Sequence, residues 1–260
     1  MTGLTRTLSP NDYSVECMTI LGDMFDELMR AGWPALEEVA VDGWVARFSG
    51  GVTQRANSVM PLCAPHDLDH ALRHVERLYA ERGLPVVFQL DRSDLDRVLD
   101  VRGYEFGLPT LIQTAHTDTV LAALGTHDAD IAEAPGTDWL DLWWAVDGRG
   151  DADALAIAAK ILTGGPALYA TIRDEHGPAA VGRLALVGDW GGVYCLAVRP
   201  DARRSGLGGA VLSGLLAAGL DHGVTRSWLQ VRQENATARR LYQRAGYVDA
   251  ARYHYRSRRS

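Results

Sequence analysis

The chain has 260 residues, of which 47% are hydrophobic and 23% charged, with a formal net charge of −7 at pH 7. These are the proportions of a well-cored globular protein, built as two ordinary domains or one large one. The acidic balance argues against a general nucleic-acid binder, and no apolar run approaches the roughly 18 residues of a membrane span.

In chain order, "SVECMTILGDMFDELMRA" (14–31) spaces Met18, Leu21, Met24, Phe25 and Leu28 three and four apart, which predicts an amphipathic helix. "GWVARFSGG" (43–51) and "QRANSVMPL" (54–62) read as two strands of a hairpin around a Gly-rich turn. A helix over 65–83 follows, with Leu68, Leu72, Val75 and Leu78 as its stripe and Gly83 as its stop. Next come strand 85–90, a short helix 93–103, and strand 104–116 interrupted near Pro109. Residues 118–130 read as a linker. Helices are predicted over 136–148, capped by Thr137 or Asp138, and over 151–164. Strands follow at 167–173, 179–187 and 191–198, the last two joined through "GDWGG". A long helix spans 206–222, with Leu207, Val211, Leu212, Leu215, Leu216 and Leu220 on its core side. Strand 227–231, helix 235–246 and strand 247–257 complete the chain.

Cys17, Cys63 and Cys195 are scattered and lack metal-ligand spacing. Neither a disulfide framework nor a zinc site is expected, and a reducing cytoplasm is the simplest setting. The opening "MTGLTRTLSPNDYS" lacks the basic-then-apolar pattern of a secretory signal.

The two halves end alike. "RSDLDRVLDVRGYE" (92–105) and "NATARRLYQRAGYV" (235–248) align without gaps at an offset of 143. Each follows a short strand, and before that a longer helix. That shared order suggests an internal duplication.

One stretch carries chemistry. In "RPDARRSGLGGAVLSGLLAAG" (199–219) proline ends a strand, and an Arg/Gly-rich turn leads straight into an apolar helix. A helix start exposes N–H groups without intrahelical partners, and the macrodipole adds partial positive charge there. Glycines at 206, 208 and 209 remove side chains that would hold a phosphate away, and Arg203 and Arg204 add charge-assisted hydrogen bonds. The chemistry suits a pyrophosphate. Taken alone, the pattern is equally a Gly-rich turn with solvated arginines. It lacks the Lys-Ser/Thr of a P-loop and the third glycine of a dinucleotide fingerprint.

Downstream, "ENATARRLYQRAGY" places Asn235 near a helix start and Tyr242 two turns along nearly the same face. With these two motifs in order, the chain from 191 to 248 resembles the GNAT superfamily of acetyl-CoA-dependent N-acyltransferases. The resemblance implies an α/β fold with a mixed sheet. It implies tandem GNAT-like domains, each a twisted, mostly antiparallel sheet flanked by helices. The expected division is a degenerate N-terminal domain (1–117), the linker (118–130) and a catalytic domain (131–260).

The resemblance also assigns roles. Leu196, Ala197 and Val198, on a strand that splays from its neighbour, would meet pantetheine and the acetyl group, and one of their N–H groups would polarise the thioester carbonyl. Arg203, Arg204, Ser205, Gly206, Leu207 and Gly208, with Gly209 and Ala210 behind them, would hold the pyrophosphate. Asn235 matches the asparagine facing the cofactor arm. Tyr242 matches the tyrosine that often protonates the departing thiolate, though an aromatic packing between helix and sheet would look the same. Cys195 reads as a buried strand cysteine rather than an acyl carrier.

No base for the attacking amine is evident: Asp189, Glu133, Asp141 and a water wire all serve. Trp139, Trp143, Trp144 and Tyr194 could shape an acceptor pocket, although each is as readily core. At the offset of 143, Asn235 falls on Arg92 and Tyr242 on Leu99, so one cofactor site is expected, in the C-terminal half. "RFSGGVTQRANSV" (47–59), with Arg55 and Asn57, is either a loop walling the acceptor cleft or a hairpin with its polar face in water.

The expected activity is acetyl transfer from acetyl-CoA to a primary amine, more in keeping with a small molecule than with protein, without metal, nucleic acid or membrane. The alternatives are a CoA-binding sensor or scaffold without turnover, and a protein lysine or N-terminal acetyltransferase. The acceptor, the acyl group and the oligomeric state are not encoded in any motif.

Overall fold

The computed structural model describes residues 22–91 and 94–258. It divides into two compact units, one running to Pro109 and taking in the chain from Tyr253 onward, the other spanning Thr110–Arg252. The second unit therefore starts before the expected 131, and the last residues of the expected catalytic domain belong to the first. Residues 14–21 of the predicted first helix, together with Cys17 and Arg92, lie outside the described residues.

The first unit begins with α1 (Gly22–Gly32), where Phe25 and Leu28 are buried as predicted. An unpredicted strand follows, β1 (Glu37–Val41), paired with β2 (Trp44–Phe48) so that Val41 opposes Trp44. The two residues between, Asp42 and Gly43, have φ of 46° and 82°. Asp-Gly is the dipeptide that such a two-residue hairpin turn demands. Then come β3 (Val59–Pro61), α2 (Leu68–Glu81), β4 (Val86–Leu90), α3 (Asp94–Val101) and β5 (Glu105–Phe106). The first helix turn of α2 is capped by the Asp67 carboxylate. The sheet order is β1-β2-β3-β4-β12, where β12 (Val248–Arg258) supplies its final residues and also carries β5. Trp44, Leu72, Val75, Tyr79, Phe88, Leu99 and Tyr104 fill the core.

The hairpin predicted over 43–62 is shorter than expected. Residues 49–58 form an ordered loop around the Asn57 amide, whose Oδ1 accepts from the N–H groups of Ser49 (2.7 Å) and Gly51 (2.9 Å). Its Nδ2 donates to the carbonyls of Val52 (2.7 Å) and Thr53 (2.8 Å). All the hydrogen-bonding capacity used here is backbone-directed, and the side chain is buried. Asn57 therefore builds the loop. Arg55 stacks over the Trp33 ring at 5.7 Å.

The second unit contains β6 (Thr110–His116), α4 (Thr117–Leu124), β7 (Asp130–Ala132), α5 (Thr137–Asp147) and α6 (Ala152–Leu162). It continues with β8 (Ala167–Asp174), β9 (Gly177–Val187), β10 (Trp190–Val198), α7 (Leu207–Leu220), β11 (Arg226–Arg232) and α8 (Ala236–Arg244). The expected linker thus holds α4 and the start of β7. Gly136 is the N-cap residue of α5, and the Asp138 carboxylate accepts from the Trp139 N–H. The sheet runs β6-β11-β10-β9-β8-β7 and is antiparallel except for β10–β11, the pair that α7 joins as a crossover.

Because α7 packs against β8, β9, β10 and α4, it is apolar nearly all round. Val211, Leu212, Leu215 and Leu216 are fully buried, each stabilising the unit by about 1.5–3 kcal/mol. Leu220, expected on the core side, lies at the helix end and is 43% exposed. No described helix is long and apolar enough to cross a membrane.

The repeated stretch folds alike in both units. Tyr104 donates its N–H to the Leu99 carbonyl and Tyr247 to the Tyr242 carbonyl, both at 3.0 Å. Gly103 and Gly246, with φ of 77° and 90°, close the helices through N–H bonds to Asp100 and Gln243. Every one of these partners differs by 143 in number, so one helix-stop motif occurs twice.

Candidate functional site

The site is built where β10 and β11 part. Their parallel pairing runs from Trp190 opposite Arg226 to Val193 opposite Leu229 and then stops, while β11 continues against β6 to Arg232. The cause lies on the other edge of β10. Opposite β9, Tyr194 pairs with Arg183 and Ala197 with Val181, so β10 carries one extra residue, a β-bulge. Cys195, with φ of 54°, takes the strained position. Gly182 lies across from it, and a Cβ there would come within 2.6 Å of Val211 Cγ1. Only glycine lets α7 press this closely on the bulge. An isolated glycine in a strand pattern is the sequence signal that could have marked it.

Beyond the bulge, the N–H of Arg199 donates to the Ala179 carbonyl, so Ala197 also faces β9 and the backbone of Val198 faces the gap. The side chains of Leu196 and Val198 pack toward α7, near Gly182 and Gly208 respectively. Of the three predicted residues, then, Ala197 turns its backbone to β9 and Val198 turns its own to the gap beside the helix start.

The Arg/Gly turn closes that edge. A single 3-10 turn (Pro200–Ala202) leads through Arg203 and Arg204, the latter at φ 66°, to Gly206 at φ 86°, the N-cap residue of α7. No side chain among the described residues caps this helix. The N–H groups of Gly209 and Ala210 already bond the Gly206 carbonyl, leaving those of Leu207 and Gly208 as the open donors of the first turn. Arg203 and Arg204 are exposed, and Arg203 folds its Nε onto the Val198 carbonyl at 3.2 Å. Ser205 donates its hydroxyl to the Ala202 carbonyl at 2.5 Å.

In sequence Arg199 is marked only as the residue before Pro200. Its guanidinium braces the whole turn, reaching Asp201 (2.7 Å), Asp174 (2.6 Å) and the Pro178 carbonyl (3.0 Å). Those hydrogen bonds raise its pKa above the ordinary value and hold both carboxyls below theirs. The exposed positive charge of the turn therefore rests with Arg203 and Arg204.

On α8, Asn235 is the N-cap residue, its Oδ1 accepting from the Ala238 N–H at 3.1 Å. Leu241 lies against Gly208 and Gly209. Tyr242 belongs to the core cluster with 8% of its surface exposed, its ring 5.8 Å from that of Tyr247.

The suggested bases are not gathered here. Asp189 sits on the turn that opens β10, six residues from Cys195, or about 20 Å along a strand. The Arg226 guanidinium binds its Oδ2 at 2.6 and 3.0 Å and holds the carboxyl below its ordinary pKa. Glu133 and Asp141 are exposed. Trp139 and Trp143 are core residues, the former donating to the Ala170 carbonyl, and Trp144 is half-buried. Tyr194 is buried edge-on to Trp228, with Arg183 5.7 Å over its ring. Cys195 is a half-buried thiol outside any disulfide, whereas Cys63 is disulfide-bonded, against expectation. No metal-competent cluster of His, Cys, Asp and Glu occurs among the described residues.

Residues 26–256 match the family model described as "Probable histone acetyltransferase Rv0428c C-terminal". The chain is 26% identical over 248 residues to the uncharacterized N-acetyltransferase YobR of Bacillus subtilis, covering 90% of this chain and 97% of that one. A GCN5-related N-acetyltransferase from Kribbella flavida has a similar structure, with a TM-score of 0.70 at 16% identity over 94% of this chain and 97% of its own. A tandem GNAT protein from the clavulanic acid biosynthesis pathway superposes with a TM-score of 0.61 at 10% identity, over 77% and 74%.

Proposed function

The chain belongs to this family of GNAT N-acetyltransferases and is an acyltransferase, and from that premise we propose that it moves an acetyl group from acetyl-CoA directly to a primary amine of a small molecule. The observation that carries the reading is the parting of β10 from β11 at Val193, directly beside an uncapped helix start. Parallel strands offer ligands a crevice at their carboxyl ends, and here the edge of β10 beyond Val193 is no longer paired with β11.

Acetyl-CoA supplies an activated thioester and a diphosphate. The Leu207 and Gly208 N–H groups with Arg203 and Arg204 bind the diphosphate, and the backbone of 196–198 orients the arm. An N–H at this edge polarises the carbonyl as negative charge develops on its oxygen. Tyr242 delivers its phenolic proton to the departing sulfur, and the amine loses its proton to water.

Thiol release from acetyl-CoA over an amine panel tests this. Turnover with small amines is expected, and its absence with every amine leaves a CoA-binding sensor in its place. A second reading, a lysine of a basic protein, draws on the net charge of −7 and on the histone named in the family description. Basic peptides in the same panel separate the two.

A further inference from the structure

A second site lies on the flank of α8 that faces away from the core. Ala238, Leu241 and Tyr242 point inward, whereas Arg239, Arg240 and Gln243 line a cavity of about 560 Å³ with Gln113, Tyr247 and Asp249. This volume is in the range of small-molecule pockets. Gln113, on β6, is only 4% exposed. Its Nε2 donates to Asp249 Oδ1 at 2.6 Å, which fixes the amide and turns Oε1 into a buried acceptor without a partner among the described residues. Arg239 leaves a buried donor likewise. Its Nη1 bonds the Gln233 carbonyl at 3.1 Å, while Nε has no partner among the described residues. The Asp249 Oδ2 stands 4.0 Å from Arg239 Nη2, too far for a hydrogen bond.

The cavity lining thus carries acceptors, Gln113 and the Asp249 carboxylate, beside cationic donors, Arg239 and Arg240. A buried amide oxygen and a buried guanidinium nitrogen left unsatisfied are costly, and a ligand meeting both recovers that cost. We propose that this cavity binds a zwitterionic α-amino acid, its ammonium group on Gln113 and Asp249 and its carboxylate on Arg239 and Arg240. Arginine and a carboxylate match as a fork, which favours the carboxylate end as the anchor. The site is separate from the cofactor turn and does not depend on acetyl transfer.

The twenty common amino acids, each titrated into the full chain by saturation-transfer NMR and then calorimetry, test the proposal. At least one is expected to bind one-to-one with a Kd below roughly 1 mM. Its N-acetylated form and its decarboxylated amine should each bind at least about tenfold more weakly. Arg239→Ala and Gln113→Leu should each cost about tenfold or more, with a circular dichroism spectrum unchanged for Arg239→Ala in case the buried glutamine is needed for folding. Gly206→Glu, which blocks the diphosphate turn, should leave amino-acid binding intact, so a failure of this proposal is distinct from a failure of the acetyltransferase reading. Absence of binding by all twenty at roughly 10 mM, binding that survives Arg239→Ala, or equal binding of the N-acetylated form each overturns it.

Discussion

Val193 and Leu229 are the last residues that β10 and β11 share, and everything proposed for the cofactor depends on that limit. Two local features enforce it, the extra residue at the bulge and the glycine opposite that lets α7 bear on it. Gly182→Ala should therefore destabilise the second unit by about 1–3 kcal/mol through overpacking against Val211 and Leu215. Thermal unfolding measures this. A variant as stable as the parent would show that the bulge region yields freely.

Gly206 presents the opposite case. A Cβ there meets nothing within 4 Å, but its φ of 86° is unfavourable for any L side chain. Gly206→Ala should cost about 1–2 kcal/mol from backbone strain alone. It should also weaken acetyl-CoA binding, because relaxing φ swings the Leu207 and Gly208 N–H groups. Unfolding and calorimetry on the one variant read both effects.

Tyr242→Phe tests the acid. The ring and its packing on Tyr247 stay, and only the hydroxyl is lost. Turnover should fall by about 100-fold or more with the acetyl-CoA Kd unchanged. An unchanged kcat would make Tyr242 a packing residue.

Asn57→Ala should cost about 2–4 kcal/mol, since four backbone groups of the 49–58 loop lose their partner at once. The expected signature is faster proteolysis within that loop, with acetyl-CoA affinity intact.

The first unit carries a half-buried carboxylate with a defined pH response. Burial pushes the Asp96 carboxyl up, but hydrogen bonds from Arg256 (2.7 Å) and His254 (2.7 Å) outweigh it and leave its pKa below the ordinary value. A carboxyl depressed in the folded state stabilises above its unfolded pKa and loses that contribution as pH falls through the folded one. Thermal midpoints should accordingly drop as pH is lowered below about 4, and Asp96→Asn should lessen that part of the pH dependence.

The sequence by itself determined the order of most elements, the repeated helix-stop at an offset of 143 and the position of the Arg/Gly turn. These are written in local signals: periodicity, glycines at positive φ, and proline after a strand. It also marked Asn57 as unusual, but a side chain that satisfies the backbone of its own loop looks in sequence like one that faces a substrate. The strand β1 was missed although Asp42-Gly43 announces its hairpin, because the alternation in "EEVAV" is too short to stand out. Residues 118–130 read as a linker because they are polar at one end, yet α4, closed by Gly125, is held there by packing on α7.

Only the tertiary structure decided the rest. It assigned the last residues of β12 to the first unit, since a strand's partners lie far away in sequence and its own residues do not specify them. It paired Asp189 with Arg226 at the end of β10 opposite the bulge. It also brought Gln113 to Asp249 across 136 positions, to make a cavity that no motif announces. Backbone conformation is set by neighbours along the chain, whereas the meeting of two side chains is set by how the whole sheet and its helices close upon one another.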